Sequence, residues 1–259
     1  MTAMRAVHAE TLDGLDAGDP AARRSRRDLQ RIHSCMGTRG ILRRALDACV
    51  PAGRARGPLR VLELGAGDGT LLLGVARVLA PRWPSVALTL LDRQILLAPE
   101  TAAGYADLGW CVRAQADDVL AWARRTGDGA GPASAPAQEW DLILANLFLH
   151  HFDDAALGPV LAAVARRCGC FLAVEPRRSR RALIASHLVG VLGANAVTRE
   201  DAVLSVRAGF RGRELGALWG GAAGWNLREY PAGPFSHVFA ATRAADGDRA
   251  RPSAPGNAA

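Results

Sequence analysis

The stretch Val61-Leu62-Glu63-Leu64-Gly65-Ala66-Gly67-Asp68-Gly69-Thr70 decides the fold of this 259-residue chain. Its apolar run, broken by one carboxylate, reads as a buried strand, and its three alternate glycines read as a tight turn that opens a helix. Gly65, Gly67 and Gly69 tolerate positive φ and carry no side chain, so a bulky ligand can lie against bare backbone there. The spacing narrows the ligand. A dinucleotide turn needs a third glycine three residues after the second, to let the helix pack beside a pyrophosphate. That position holds Thr70, and Glu63 would repel a pyrophosphate while suiting a cation.

S-adenosylmethionine, with an ammonium, a sulfonium and no phosphate, meets those conditions. Further apolar runs follow at regular intervals. Val86 to Leu91 predicts a second strand ending in Asp92-Arg93, where an open α/β sheet places a carboxylate against ribose hydroxyls. Trp110 to Ala114 leads to Asp117-Asp118-Val119, where either carboxylate is placed to accept a hydrogen bond from an adenine amine. Trp140 to Ala145 ends in Asn146-Leu147-Phe148-Leu149-His150-His151-Phe152, and Phe171 to Val174 ends in Glu175-Pro176. Polar groups at successive strand ends converge on one rim of an α/β sheet.

Through ELGAGDG, LLD, ADD and DLILANLFLHHF, in that order, the chain resembles the class I S-adenosylmethionine-dependent methyltransferases over roughly residues 28 to 241. The resemblance implies a Rossmann-like α/β fold: a seven-stranded, mostly parallel sheet with an antiparallel last strand, helices on both faces and an N-terminal helical cap. It also implies roles. Glu63 and the turn of Gly65, Ala66, Gly67 and Gly69 would meet the methionine end of the cofactor. Asp92, with Arg93 beside it, would meet the ribose, and Asp117 or Asp118, with Val119, the adenine. Asn146 and Leu147 would line the floor between cofactor and acceptor. Arg27 to His33 ahead of the core and Thr198 to Arg207 after it are similar to flanks of small-molecule methyltransferases found beside polyketide or quinone pathways in secondary metabolism.

Composition bounds the partners. The net charge of +7 and pI near 10 raise the question of nucleic acid, yet every basic residue is arginine. A codon bias that also enriches alanine and glycine accounts for that pattern, so nucleic acid is not favoured. Cysteines 35, 49, 111, 168 and 170 form no disulfide framework, and Cys168-Gly169-Cys170 lacks the second pair of a zinc site. Free thiols, a reducing compartment and no metal are expected. The acidic start, with Glu10, Asp13, Asp16 and Asp19, lacks the regions of a secretory signal. No run reaches the ~18 apolar residues of a membrane span. A cytoplasmic protein is expected, and nothing in the sequence fixes an oligomeric state.

A single methyltransferase domain over 21–242 is expected, flanked by a loosely held stretch over 1–20 and a disordered tail over 243–259. Residues 21–50 carry apolar side chains at helical spacing and are expected to lie over the cofactor mouth. Residues 126–138 read as a turn-rich excursion. Residues 177–206 interrupt the strand and helix alternation as an acceptor-side insert, with Ser179 capping a helix to about Leu192. The cluster Arg177, Arg178, Arg180 and Arg181 reads either as a solvated face or as a clamp for an acidic substrate. Near the end, 225–230 and 235–240 read as a hairpin.

For the chemistry, a sulfonium donor is already activated, so the protein must align the nucleophile and, for a hydroxyl, remove a proton. His150 and His151 are the candidate bases, the alternative being that they only hold the loop; His33 and His187 are further candidates if cap and insert fold over the site. Enzymes that methylate nucleobase amines resemble one another in an Asn or Asp followed by two prolines and an aromatic ring. Asn146-Leu147-Phe148-Leu149 departs from that, favouring an oxygen or carbon nucleophile on a small, partly apolar acceptor. Phe148 and Phe152 either stack on that acceptor or pack in the core. An arginine-lined groove leading to Asn146 would mark an RNA or protein substrate instead. A methyltransferase-fold protein that binds without turnover is the remaining alternative.

Overall fold

Strands β1 (Leu59–Leu64), β2 (Val86–Asp92), β3 (Cys111–Ala116), β4 (Trp140–Asn146), β5 (Cys168–Pro176), β6 (Trp225–Ala232) and β7 (Ser236–Arg243) form one sheet in the order β3-β2-β1-β4-β5-β7-β6. The computed structural model describes residues 4–16, 18–50, 57–125, 139–220 and 223–244. Strands β1 to β5 pair in parallel, and β7 runs antiparallel to both β5 and β6. The expected sheet is present. Because strand order reverses at β1, the C-terminal ends of β1 and β4 open a crevice, the place where ligands bind in open α/β sheets.

Helices α1 (Pro20–Met36), α2 (Thr38–Cys49), α3 (Thr70–Leu79), α4 (Pro99–Ala106), α5 (Val119–Arg125), α6 (Asp154–Arg167), α7 (Arg180–His187), α8 (Ala196–Ala208) and α9 (Glu214–Leu218) cover the sheet. One face buries Leu42 and Leu46 of α2 and Leu72, Val75 and Leu79 of α3 with Val61, Leu88 and Leu172 of the sheet. The other buries Trp122 of α5 and Leu157, Leu161 and Val164 of α6 with Phe171, Trp219 and Phe239. Both faces are therefore apolar, which explains why β1, β4 and β5 read as continuous apolar runs rather than alternating ones.

Three local expectations need correction. Strand β5 begins at Cys168, three residues early, because Cys168 and Cys170 pair with Trp140 and Leu142 and are buried as free thiols. Helix α7 stops at His187 and gives way to a 3-10 turn over Val189–Leu192, leaving Ile184, Leu188 and Val191 exposed. Of the two N-terminal helices, only α1 lies over the crevice; α2 is a core helix against α3, β5 and β7. The excursion expected over 126–138 and the tail beyond 244 lie outside the described residues. Among the described residues, no helix is long and apolar enough to cross a membrane.

Residues 4–16, expected to be loosely held, run across the C-terminal side of the sheet. The Arg5 guanidinium donates to the Ala208 carbonyl at 2.8 Å and the Phe152 carbonyl at 2.5 Å, and pairs with Asp154. Asp201 accepts from the backbone N–H groups of Thr11 and Leu12, at 2.8 and 3.0 Å. These polar anchors have no periodic signature in sequence.

The glycine turn is tied to the core from below. Tyr105, fully buried on α4, donates its hydroxyl to the Gly69 carbonyl at 2.8 Å. Tyr105→Phe strands that carbonyl without its partner and is expected to lower stability by ~1–3 kcal/mol. Urea unfolding measures this, and an unchanged midpoint would show that the turn holds itself.

Candidate active site

Strand β1 delivers the turn at the crevice with Gly65 and Gly67 at φ of +65° and +56°. The N–H groups of Gly65 and Ala66 both donate to the Leu91 carbonyl at the end of β2, at 2.9 and 3.2 Å. At Gly65 a Cβ would stand 2.1 Å from the Phe148 ring, so only glycine lets the loop after β4 close on the turn. The Gly67 N–H donates to Asp92 Oδ2 at 2.9 Å, and the Gln94 N–H to Oδ1 at 3.1 Å. Asp92 is thereby held in one orientation.

Glu63 is 4 % exposed, and its Oε2 has no hydrogen-bond partner. Burial, reinforced by the negative charges of Asp68 and Asp92, pushes its carboxyl up to about 8. A buried carboxyl without a partner is costly unless a cation or donor meets it. Asn146 Oδ1 and Gln94 Oε1 are likewise buried and unpartnered, and all three residues line one cavity of about 670 Å³. Three orphaned acceptors in one cavity make a cradle for a ligand rich in donors and positive charge. The ammonium end of S-adenosylmethionine fits that donor-poor surface.

The other half of the cavity is apolar, walled by Leu29, Ile32 and Met36 of α1, Ala182 and Ala185 of α7, and Val206 of α8. Helices α1 and α8 are locked together by buried polar groups. Asn195 caps α8 by accepting from the Thr198 N–H, accepts from the Ser25 hydroxyl at 3.0 Å, and gives its own N–H to Asp28 at 2.8 Å. The flanks singled out in sequence thus form a roof together.

The loop after β4 enters through Leu147, the sole non-glycine residue with positive φ among the described residues, at +53°. Glu175, fully buried at the end of β5, accepts from the N–H groups of Phe148 and Leu149 at 3.1 and 2.9 Å and from His150 Nδ1 at 2.8 Å. His151 Nδ1 lies 2.8 Å from the Phe148 carbonyl. Both imidazoles then turn Nε2 toward Glu10, at 3.3 Å for His150 and 3.4 Å for His151. Burial acts to lower the His150 pKa, but hydrogen bonds and charge from Glu10 and Glu175 outweigh it and raise the value to about 9. Both ring nitrogens of His150 thus face carboxylates, Nδ1 on Glu175 and Nε2 toward Glu10.

Ten of the residues expected at the site line the cavity: Glu63, Gly65, Ala66, Gly67, Asp92, Arg93, Asn146, Leu147, His150 and His151. Gly69, Asp117, Asp118 and Val119 do not. Gly69 starts α3 beneath the turn, with Leu90 packed against it. Asp117 gives its N–H to the Asp92 carbonyl while its carboxylate is taken by Arg125 and Gln115. Asp118 caps α5 through the Ala121 N–H, and Val119 is a core residue. His33 lines the cavity, and burial above all lowers its pKa to about 4. His187 is exposed and outside it. Phe148 and Phe152 meet edge to face and pack on the core. Sequence reasoning missed Glu10 and Gln94 and gave Glu175 no role.

Sheet order 3-2-1-4-5-7-6 with β7 alone antiparallel matches the Rossmann-like methyltransferase fold. Among solved structures, the plantazolicin methyltransferase BpumL in complex with S-adenosylhomocysteine is similar at 12% identity and a TM-score of 0.57, over 88% of this chain and 92% of that one. An O-methyltransferase family protein from Burkholderia thailandensis is similar at 19% identity and a TM-score of 0.53, over 89% of this chain and 62% of that one. No family model matches the sequence, and no curated protein does.

Glu63 links this site to stability. Its folded-state pKa of about 8 lies above the ordinary 4.5, so its contribution is full below 4.5 and is lost as pH rises through 8. In the ligand-free protein, Glu63→Gln is expected to raise the melting temperature relative to wild type by a margin that grows several degrees from pH 6 to pH 9. A margin independent of pH would show that Glu63 titrates as an ordinary carboxylate.

Proposed function

We propose that the chain is an S-adenosylmethionine-dependent methyltransferase that methylates an oxygen or carbon nucleophile of a small, partly apolar acceptor. The observation that carries this reading is the unpartnered, buried Glu63 Oε2 in a cavity whose remaining wall is largely apolar. When bound, the cofactor supplies a methyl group already activated on a sulfonium. Glu63 and Asn146 would hold the ammonium-bearing end and Asp92 the ribose, while the bare Gly65 to Gly67 backbone admits the nucleoside. The adenine is left to Arg93, Gln94 and Leu96, which line the cavity beside Asp92, rather than to Asp117 or Asp118.

The roof of α1, α7 and α8 would orient a phenolic, quinol or polyketide-like acceptor by apolar contact. Glu10, His150 and His151 stand at that end, where an acceptor hydroxyl would lose its proton. Among the described residues, Arg26 and Arg93 are the only arginines that line the cavity, and Arg178 is buried against the Gly209 carbonyl and Glu214. That distribution favours a small molecule over RNA or an acidic partner, and a place in secondary metabolism inside the cell suits such an acceptor.

Calorimetric titration of S-adenosylhomocysteine tests the cofactor. Micromolar binding is expected, with no response to NAD. Asp92→Ala should weaken binding by ~10–100-fold, from the loss of one or two charged hydrogen bonds. Absence of binding in the wild-type protein would move the non-catalytic alternative to the front. Given binding, a panel of phenols, quinols and polyketides assayed for methyl transfer identifies the acceptor class.

A further inference from the structure

The geometry points to a divalent transition-metal site, of the kind Zn²⁺ occupies, formed by His150 Nε2, His151 Nε2 and the Glu10 carboxylate at the acceptor end of the cavity. These ligand atoms all lie within 4.8 Å of one another. Two imidazoles and one carboxylate on one side of an ion, with the remaining positions open to a cavity, is the donor set of catalytic zinc and of mononuclear iron sites.

Three features separate this cluster from a chance meeting of charges. First, each imidazole is oriented from behind. His150 Nδ1 is held by Glu175 at 2.8 Å and His151 Nδ1 by the Phe148 carbonyl at 2.8 Å. A carboxylate or carbonyl behind Nδ1 fixes the tautomer that presents Nε2 as a ligand, the usual arrangement behind metal-bound histidine. Second, the separations suit ligands of a common ion better than a direct bond. Charge-assisted hydrogen bonds run to ~2.7–2.9 Å. The Glu10 oxygens stand 3.3 and 3.4 Å from the two Nε2 atoms. Bonds of ~2.1 Å in a tetrahedron set neighbouring ligand atoms ~3.4 Å apart. Third, the Ser205 hydroxyl lies on Glu10 Oε1 and Asp13 Oδ2 lies 3.7 Å from His151 Nε2, so the carboxylate is supported and a further oxygen stands nearby.

A hydroxyl or enol oxygen of an acceptor brought to the ion would give up its proton more readily. That role rests on the methyltransferase reading; the site itself does not.

The test uses the full chain, stripped with a chelator and titrated with Co²⁺ under visible absorption and with Zn²⁺ by calorimetry. One equivalent of Co²⁺ is expected to bind with the d–d bands of nitrogen and oxygen ligation. Glu10→Gln and His151→Ala should each weaken binding by ~100-fold or more, since losing a ligand exceeds the ~10–100-fold cost of losing a supporting contact. Both variants are checked for an intact thermal transition. Cys35, which lines the same cavity, is the control: Cys35→Ser should leave the bands unchanged. No binding by the wild type, binding kept in Glu10→Gln and His151→Ala, or a thiolate band lost in Cys35→Ser would each overturn the site. S-adenosylhomocysteine titrated into the same stripped protein separates the two readings. Cofactor bound without metal refutes only the metal site, and metal bound without cofactor refutes only the methyltransferase reading.

Discussion

One buried carboxylate governs the loop after β4. Glu175 has no exposure to solvent, and its two oxygens take the Phe148 N–H, the Leu149 N–H and His150 Nδ1. A carboxylate withdrawn from water is tolerated only when such donors replace its hydration. All three come from the loop after β4, so the cost of burying Glu175 and the conformation of that loop are one problem with one solution. The solution places Phe148 over Gly65, which is why a Cβ has no room there, and joins the loop to the cofactor-side turn. It also aims both imidazoles at Glu10, so the N-terminal segment takes its position from a residue at the end of β5.

The parts of this arrangement that were legible in sequence are those written in local patterns. β1, β2 and β4 are apolar runs ending in Glu63-Leu64, Asp92 and Asn146, and the alternate glycines mark the turn because only local sterics are at stake. Glu10 is separated from His150 by 140 residues, and its approach depends on Asp201 and Arg5 holding the chain across the sheet. No short-range pattern encodes that. Asp117 and Asp118 show a related limit: their spacing suits an adenine contact, and in the fold Arg125 and the start of α5 engage the carboxylates. The fifth strand reads from Phe171 in sequence, where the continuous apolar run begins, and pairing across to β4 extends it to Cys168.

Charge shows the same gap between a total and its distribution. The chain is basic overall, yet the cavity gathers Glu10, Asp13, Glu63, Asp68 and Asp92 against two arginines. Many arginines are spent elsewhere, as in Arg43 and Arg82 on Asp47, Arg167 on Glu139 and Arg178 on Glu214. The low-dielectric walls of a cavity concentrate the field of the charges that line it, so the local sign outweighs the net charge in selecting a ligand. A donor that is cationic at both ammonium and sulfonium suits that field. A phosphate chain does not, and the electrostatic argument first made from Glu63 alone is carried by the whole cavity.

Helices α1 and α2 are held by different forces. Helix α2 is fixed by apolar burial of Ile41, Leu42, Ala45 and Leu46, which must be undone as a block. Helix α1 meets α8 through Ser25, Asp28, Asn195 and Thr198, and the segment before it is held through Arg5, Glu10 and Thr11 by hydrogen bonds and ion pairs. Contacts of the second kind exchange with water at a net cost near ~1 kcal/mol each, whereas core side chains lose ~2–5 kcal/mol when their packing is removed. Regions held by few apolar contacts open first. The N-terminal segment is thus held by the weaker kind of contact and α2 by the stronger.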